Sequence, residues 1–260
     1  MSRLIRLLIS YDGSGYHGWQ RQHNGITVQE VVEEQLAVIC RHPVALHGAG
    51  RTDAGVHALG MVAHFQTSTS IPVQAFSRGL NSMLPRDIRI LAAQTEQPDF
   101  HSRFSALGKT YRYDFFCGEV QLPMSRKYCA HYPGAFESER IQPAIEALIG
   151  SHDFASFERS GSRDPSRTGG RGAVRTLYQL SCTPQLGRPE HWSIRVSGDG
   201  FLRQMVRIIA GTLIQIGCSR REPDSMAAVI AARDRTAAGM TAPACGLYLE
   251  KIYYHHLFDH

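Results

Sequence analysis

Lys109-Thr110-Tyr111-Arg112-Tyr113-Asp114-Phe115 sets aromatic side chains at successive odd positions, the period of a strand. The segment reopens a series of elements that the chain has already run through once. In the first series, Ile5, Leu7, Ile9 and Tyr11 alternate with Leu4, Arg6, Leu8 and Ser10, which predicts a strand over residues 3–11. Thr27-Val28-Gln29-Glu30 reads as a capping box, and Val28, Val31, Val32, Leu36 and Ile39 mark one face of a helix running to about Cys40. Val44 to Leu46 and Met61 to Phe65 read as strands. Pro72 precedes a helix that carries Phe76, Leu80 and Met83 toward the core, and Ile88 to Ala92 closes the series as a strand.

After Lys109 the same order returns in different letters. A helix begins between Ser138 and Pro143 and carries Ile145, Leu148 and Ile149, with proline confined to its first turn. Val174 to Cys182 and Trp192 to Val196 are strands, and Phe201 to Ile216 is a helix with Leu202, Val206, Ile209, Leu213 and Ile216 inward. Asp224 caps one further short helix through Ala232, and Leu247 to Tyr254 is the closing strand. Two strand-helix-strand-strand-helix-strand runs predict an α+β protein of two ferredoxin-like halves, residues 1–106 and 107–260. Side by side they make one extended, mainly antiparallel sheet with helices on one face and a cleft on the other.

Composition restricts the function classes. Of the 260 residues 43% are apolar, enough for a sizeable core, and no apolar run approaches the roughly 18 residues of a membrane span. The first residues lead into strand-like sequence with no signal-peptide pattern, so a cytoplasmic protein with no membrane association is expected. The six cysteines show no zinc or redox spacing and read as reduced thiols. A net charge of +5 is compatible with a polyanionic partner.

Three stretches carry chemistry. Gly48-Ala49-Gly50-Arg51-Thr52-Asp53-Ala54-Gly55-Val56-His57-Ala58 holds the only acid between Glu34 and Asp87, in a glycine-rich loop with an arginine two positions before it. A carboxylate near a guanidinium stays ionised and can act as a nucleophile; the bland alternative is an aspartate capping a turn. In Ser102 to Tyr113 basic residues alternate with aromatics, a combination that suits RNA because cations hold phosphate and rings stack on bases, whereas a stripe such as Tyr111, Tyr113 and Phe115 is ordinarily core. Arginines 159, 163, 167, 171 and 175 recur at every fourth position, but Gly161, Pro165, Gly169, Gly170 and Gly172 break any helix. The region 159–175 therefore reads as a long basic loop. Gly13-Ser14-Gly15-Tyr16-His17-Gly18 matches a dinucleotide-binding fingerprint in letters only. The third glycine opens no helix, and Glu33, at the distance of a ribose contact, lies inside the following helix.

Gly-Arg-Thr-Asp-Ala-Gly-Val-His-Ala at residues 50–58 resembles the signature of the tRNA pseudouridine synthase A family. So do, in the same order, Tyr11-Asp12-Gly13 through Gly18-Trp19-Gln20, Phe100 to Phe104, Lys109 to Tyr113, Ser166 to Thr168, Gly200 to Arg207 and Thr241 to Tyr248. The resemblance implies the fold described above and isomerisation of uridine to pseudouridine at tRNA positions 38, 39 and 40 in the anticodon stem-loop. It implies no cofactor and no metal, and a homodimer that binds tRNA across both subunits. It makes Asp53 the nucleophile, Arg207 the cation paired with it, Arg51 the residue that displaces the base and Tyr111 the ring against the target uracil. Phe100, His101, Ser102, Arg103 and Phe104, and Ser166, Arg167 and Thr168, become RNA contacts, while Arg203 has no role and stays solvated. Two rival readings remain at this stage: a metal-dependent hydrolase built on His47, Asp53 and His57, and a non-catalytic tRNA-binding protein.

Overall fold

The structure, a computed structural model, describes residues 2–162 and 170–255. Their backbone divides into two compact units, one reaching Lys109 and resuming at Tyr248, the other running from Thr110 to Leu247.

The first unit opens with β1 (Arg3–Tyr11), whose Ile5, Leu7 and Ile9 are fully buried while Arg6, Leu8 and Ser10 are partly exposed. Helix α1 (Val28–Cys40) starts where Thr27 Oγ1 accepts the Glu30 amide, and it buries Val28, Val32, Leu36 and Cys40, positions 28, 32, 36 and 40 lying along one stripe. Glu33 on that helix accepts the Leu46 amide at 2.9 Å, a tie between helix and sheet rather than a ribose contact. The strand expected over Val44 to Leu46 is displaced: those residues lie outside the ladder, and β2 is only His47–Gly48. Strand β3 (His57–Thr67) starts earlier than expected, inside the glycine-rich stretch. Helix α2 (Val73–Met83) buries Phe76 and Leu80, while Met83 at its end is exposed. Phe76 meets Phe65 of β3 edge-on at 5.4 Å, which seats α2 on the sheet. Strand β4 (Ile88–Glu96) pairs with β1, β1 with β3 and β3 with β2, all antiparallel, so the spatial order 4-1-3-2 is that of a ferredoxin-like unit.

In the second unit β5 (Gly108–Phe116) is joined in parallel by β6 (Ala130–His131), which no periodicity announced. A 3-10 turn over Ser138–Ile141 leads into α3 (Gln142–Leu148) with Pro143 in its first turn; Ile149 follows the helix and is exposed. A second unexpected strand, β7 (Gly150–Asp153), pairs with β8 (Val174–Pro184), and β8 pairs with β9 (His191–Gly198), both antiparallel. Helix α4 (Met205–Gly217) is buried nearly all round, Ile208, Ala210 and Ile214 included, so it is the central helix of its unit rather than a one-faced one. Its start is four residues later than expected because Gln204 takes a left-handed conformation, φ 62° and ψ 4°. Arg203 therefore sits in an exposed turn, not on a helical face shared with Arg207. Asp224 lies within a 3-10 turn, and α5 (Met226–Ala232) starts after Ser225 with no side-chain cap. The final strand, β10 (Leu247–Tyr253), returns to the first unit and pairs in parallel with β3 through Tyr248↔His57 and Leu249↔Ala58. The fold is α+β, with mainly antiparallel pairing in each unit. Among the described residues no helix is long and apolar enough to cross a membrane.

Candidate active site

The glycine-rich loop joins β2 to β3, and its backbone is pinned at intervals. The Ala49 amide donates to Val62 O at 2.8 Å, and Ala49 O accepts Lys109 Nζ at 2.7 Å. Thr52 is buried, with its hydroxyl 2.8 Å from Tyr11 OH and its carbonyl accepting the Trp19 amide at 3.2 Å. The turn itself closes with Val56 N donating to Asp53 O at 3.2 Å, and Gly55 N reaches Tyr16 O at 3.4 Å. Asp53 is partly exposed and Arg51 exposed. A carboxylate is thus presented from a turn fixed on both sides while its own side chain stays reachable.

Two of the three glycines in the Gly13 to Gly18 stretch explain why that segment is folded against the loop. A Cβ at Gly13 would lie 2.0 Å from Val56 O, and one at Gly18, where φ is +92°, would lie 2.5 Å from Thr52 O. Only glycine permits both the close approach and the left-handed backbone. The segment is a short 3-10 turn over Gly13–Gly15, not a helix N-terminus, so the letters of a dinucleotide fingerprint here serve loop packing. His57, fully enclosed, stacks on Tyr248 at 4.8 Å and sets Nδ1 3.2 Å from both the Gly13 amide nitrogen and Asp12 Oδ1. His47 stacks on His64. Among the described residues no three His, Cys, Asp or Glu side chains are grouped to hold a metal ion, which leaves the hydrolase reading of His47, Asp53 and His57 without a ligand set.

The segment from Phe100 to Phe104 is a turn locked by Ser102, which is fully buried. Its hydroxyl donates to His47 O at 2.6 Å, its amide donates to His64 Nδ1 at 3.1 Å and its carbonyl accepts Tyr254 OH at 2.6 Å. Burial, with His101 and His47 adding like charge, pushes the His64 pKa down to about 4, so the ring stays neutral and keeps accepting. Around that anchor Phe104 stands 76% exposed, its ring 4.3 Å from His101 and beneath the Arg103 guanidinium at 5.7 Å. An exposed ring beside a cation is suited to stacking on a base.

In the second unit Tyr111 is buried and meets Phe201 edge-on at 5.1 Å. Arg207, partly exposed in the first turn of α4, donates from Nε to Ala242 O at 2.7 Å. Asp53 belongs to the first unit and Arg207 to the second. Ser166, Arg167 and Thr168 lie outside the described residues. The flanks of the basic loop are described: the Arg159 amide donates to Arg203 O at 3.0 Å, and Arg171 pairs with Asp199. Two residues that the sequence reading quoted without a role stand at these contacts, Phe201 and Lys109. The signal for Lys109 was visible, since it is a charged residue on the odd-numbered face otherwise occupied by Tyr111, Tyr113 and Phe115.

Comparison with known proteins bears on this arrangement. A model of a family described as tRNA pseudouridine synthase matches residues 7–105 and 144–255. The tRNA pseudouridine synthase A 1 of Desulfotalea psychrophila (strain LSv54 / DSM 12343) is 46% identical over 252 residues, covering 97% of this chain and 100% of its own. The tRNA pseudouridine synthase A of Geotalea uraniireducens (strain Rf4) is 44% identical with the same coverage, and that of Thermoanaerobacter sp. (strain X514) is 41% identical, again over 97% and 100%. Among solved structures, a chain titled as a Cbf5-Nop10-Gar1 complex is matched with a TM-score of 0.39 and 14% identity, over 94% of this chain and 48% of that one.

Proposed function

The chain belongs to the tRNA pseudouridine synthase family, and from that premise we propose that it isomerises uridine at positions 38, 39 and 40 of the tRNA anticodon stem-loop, with Asp53 as nucleophile. Membership makes it an isomerase of tRNA uridine. The reaction breaks the bond from N1 to the ribose and remakes it from C5, the C5 proton leaving as N1 gains one. Oxidation state is unchanged and no group is discarded, so the chemistry calls for no cofactor.

What carries the reading is the Asp53 turn: a carboxylate left reachable on a backbone pinned at Ala49, Thr52 and Gly55. Rigid presentation of the attacking group is worth a large part of a barrier. In the proposed sequence the target nucleotide leaves its stack, Asp53 attacks the sugar or the ring, and the freed uracil rotates before rejoining. Arg51 helps displace the base, Tyr111 packs against it and Arg207 keeps Asp53 ionised. Phe100, His101, Ser102, Arg103 and Phe104 form one RNA contact, with Phe104 as its stacking surface and Ser102 as its anchor. Ser166, Arg167 and Thr168 form another. The enzyme works in the cytoplasm as a homodimer, without metal.

Incubating purified protein with unmodified tRNA and nothing else, then mapping pseudouridine in the digest, tests the reading. Asp53→Asn abolishes turnover while tRNA affinity, supplied mainly by cations, stays within about threefold of wild type. Wild-type pseudouridine formation by Asp53→Asn excludes the assignment.

A further inference from the structure

We propose that Lys109 is a positioning residue for this reaction: its ammonium, held on the Ala49 carbonyl, fixes the entry of the loop that presents Asp53. The inference rests on Asp53 being the nucleophile.

The Ala49 carbonyl lies just past Gly48, where the β2 ladder has stopped. Ala49 is completely buried, its amide is taken up by Val62 of β3, and its carbonyl is taken up by Lys109 Nζ at 2.7 Å. The residue that opens the loop is thus clamped between a strand on one side and a cation on the other. The next residue runs against the same ammonium, since a Cβ on Gly50 would lie 3.1 Å from Nζ. Further on the chain is held again at Thr52, by Tyr11 and Trp19, and at Gly55, by Tyr16. Asp53 sits between these later pins, and the Lys109 bond to Ala49 O sets how the chain enters them.

A neutral donor could satisfy a carbonyl. Burying a charge to do so is costly, because transfer from water is repaid only by strong partners. The charged group acting on Lys109 is another cation, Arg103 on the turn before β5; Arg51 and Asp53 follow on the loop itself. Burial first, and then Arg103, lower the Lys109 pKa to about 8. A charged donor makes a hydrogen bond about twice as strong as a neutral one, and the grip on Ala49 therefore weakens as Lys109 loses its proton.

Lys109→Met and Lys109→Arg, assayed for pseudouridine formation over a range of tRNA concentrations, test this. Lys109→Met lowers kcat by about tenfold or more with KM within about twofold, since a misplaced nucleophile costs turnover rather than tRNA binding. Lys109→Arg, which retains a cationic donor, recovers kcat to within about fivefold. Wild-type kcat declines as pH rises through about 8, and Lys109→Arg shows no such decline up to pH about 9 because a guanidinium does not titrate there. The proposal is overturned by a Lys109→Met kcat within twofold of wild type, by a loss confined to KM, or by Lys109→Arg being as impaired as Lys109→Met at matched melting temperature. Should Lys109→Met fail to fold, the pH profile of Lys109→Arg decides alone, and a decline retained in it overturns the proposal. Failure of the Asp53 reading shows separately, as product made by Asp53→Asn with Lys109 intact.

Discussion

Replacing Gly13 by alanine adds one methyl group at a point where the structure has no room for it. The new Cβ would stand 2.0 Å from Val56 O, and contacts under 3.0 Å are not sustained, so one backbone must retreat by at least about 1 Å. Val56 is tied back to Asp53 O at 3.2 Å, so a retreat of Val56 turns the Asp53 loop with it. A misplacement of about 1 Å at a reacting group costs about 100-fold in rate, and the strain costs about 1–3 kcal/mol of stability. The assay is release of tritium from tRNA labelled at uridine C5, the position that loses its hydrogen when the new glycosidic bond forms. Gly15→Ala is the internal control, for a Cβ there meets nothing within 4 Å although it lies in the same 3-10 turn. A folded Gly13→Ala enzyme releasing tritium within about threefold of Gly15→Ala would refute the reasoning, because it would mean that the Gly13 segment yields and the Asp53 turn does not.

The same geometry yields two further expectations. His64 has its pKa lowered to about 4 from 6.5, so between those values the unfolded chain binds more protons and stability falls as pH drops through this window. The loss is at most about 3 kcal/mol, and His64→Gln, which can still accept the Ser102 amide without titrating, flattens it in urea unfolding between pH 7 and 4; an unchanged pH slope contradicts the assignment. Trp19, 1% exposed and holding Thr52 O through its amide, is the largest side chain behind the loop. Trp19→Ala costs about 3–5 kcal/mol, read as the shift of the urea midpoint, and a midpoint that does not move shows that the loop is supported elsewhere.

Much of the first unit was legible because its strands alternate and its helices carry apolar stripes, both local signals. β1 shows at Ile5, Leu7 and Ile9, α1 at Thr27 and its 28-32-36 stripe, and the false fingerprint betrayed itself by the absence of a helix after Gly18. Errors came where burial and ladder bonding part company. Val44 and Leu46 are buried as a strand's residues are, yet the ladder begins only at His47. Met83 and Ile149 continue an apolar pattern past the point where their helices still face the core. Phe201 and Leu202 continue one before α4 has begun, since apolar spacing carries no trace of the left-handed Gln204. At the site, the glycines of both signatures were visible as letters but not as partners, because which carbonyl a glycine must clear is a long-range fact. Lys109 was passed over for the same reason: its partner lies 60 residues earlier.

Strand β10 reaches back to β3 across most of the chain, Tyr248 lying opposite His57. At a translation rate of about 5–20 residues per second, the 191 residues from Ala58 through Tyr248 take roughly 10–40 s to polymerise. For that interval the nascent first unit has the β3 edge at His57 and Ala58 uncovered, immediately after the turn that carries Asp53. A ribosome-bound intermediate of this kind carries its acid before the neighbourhood of that acid is finished, and is a natural client for a chaperone that shields open strand edges.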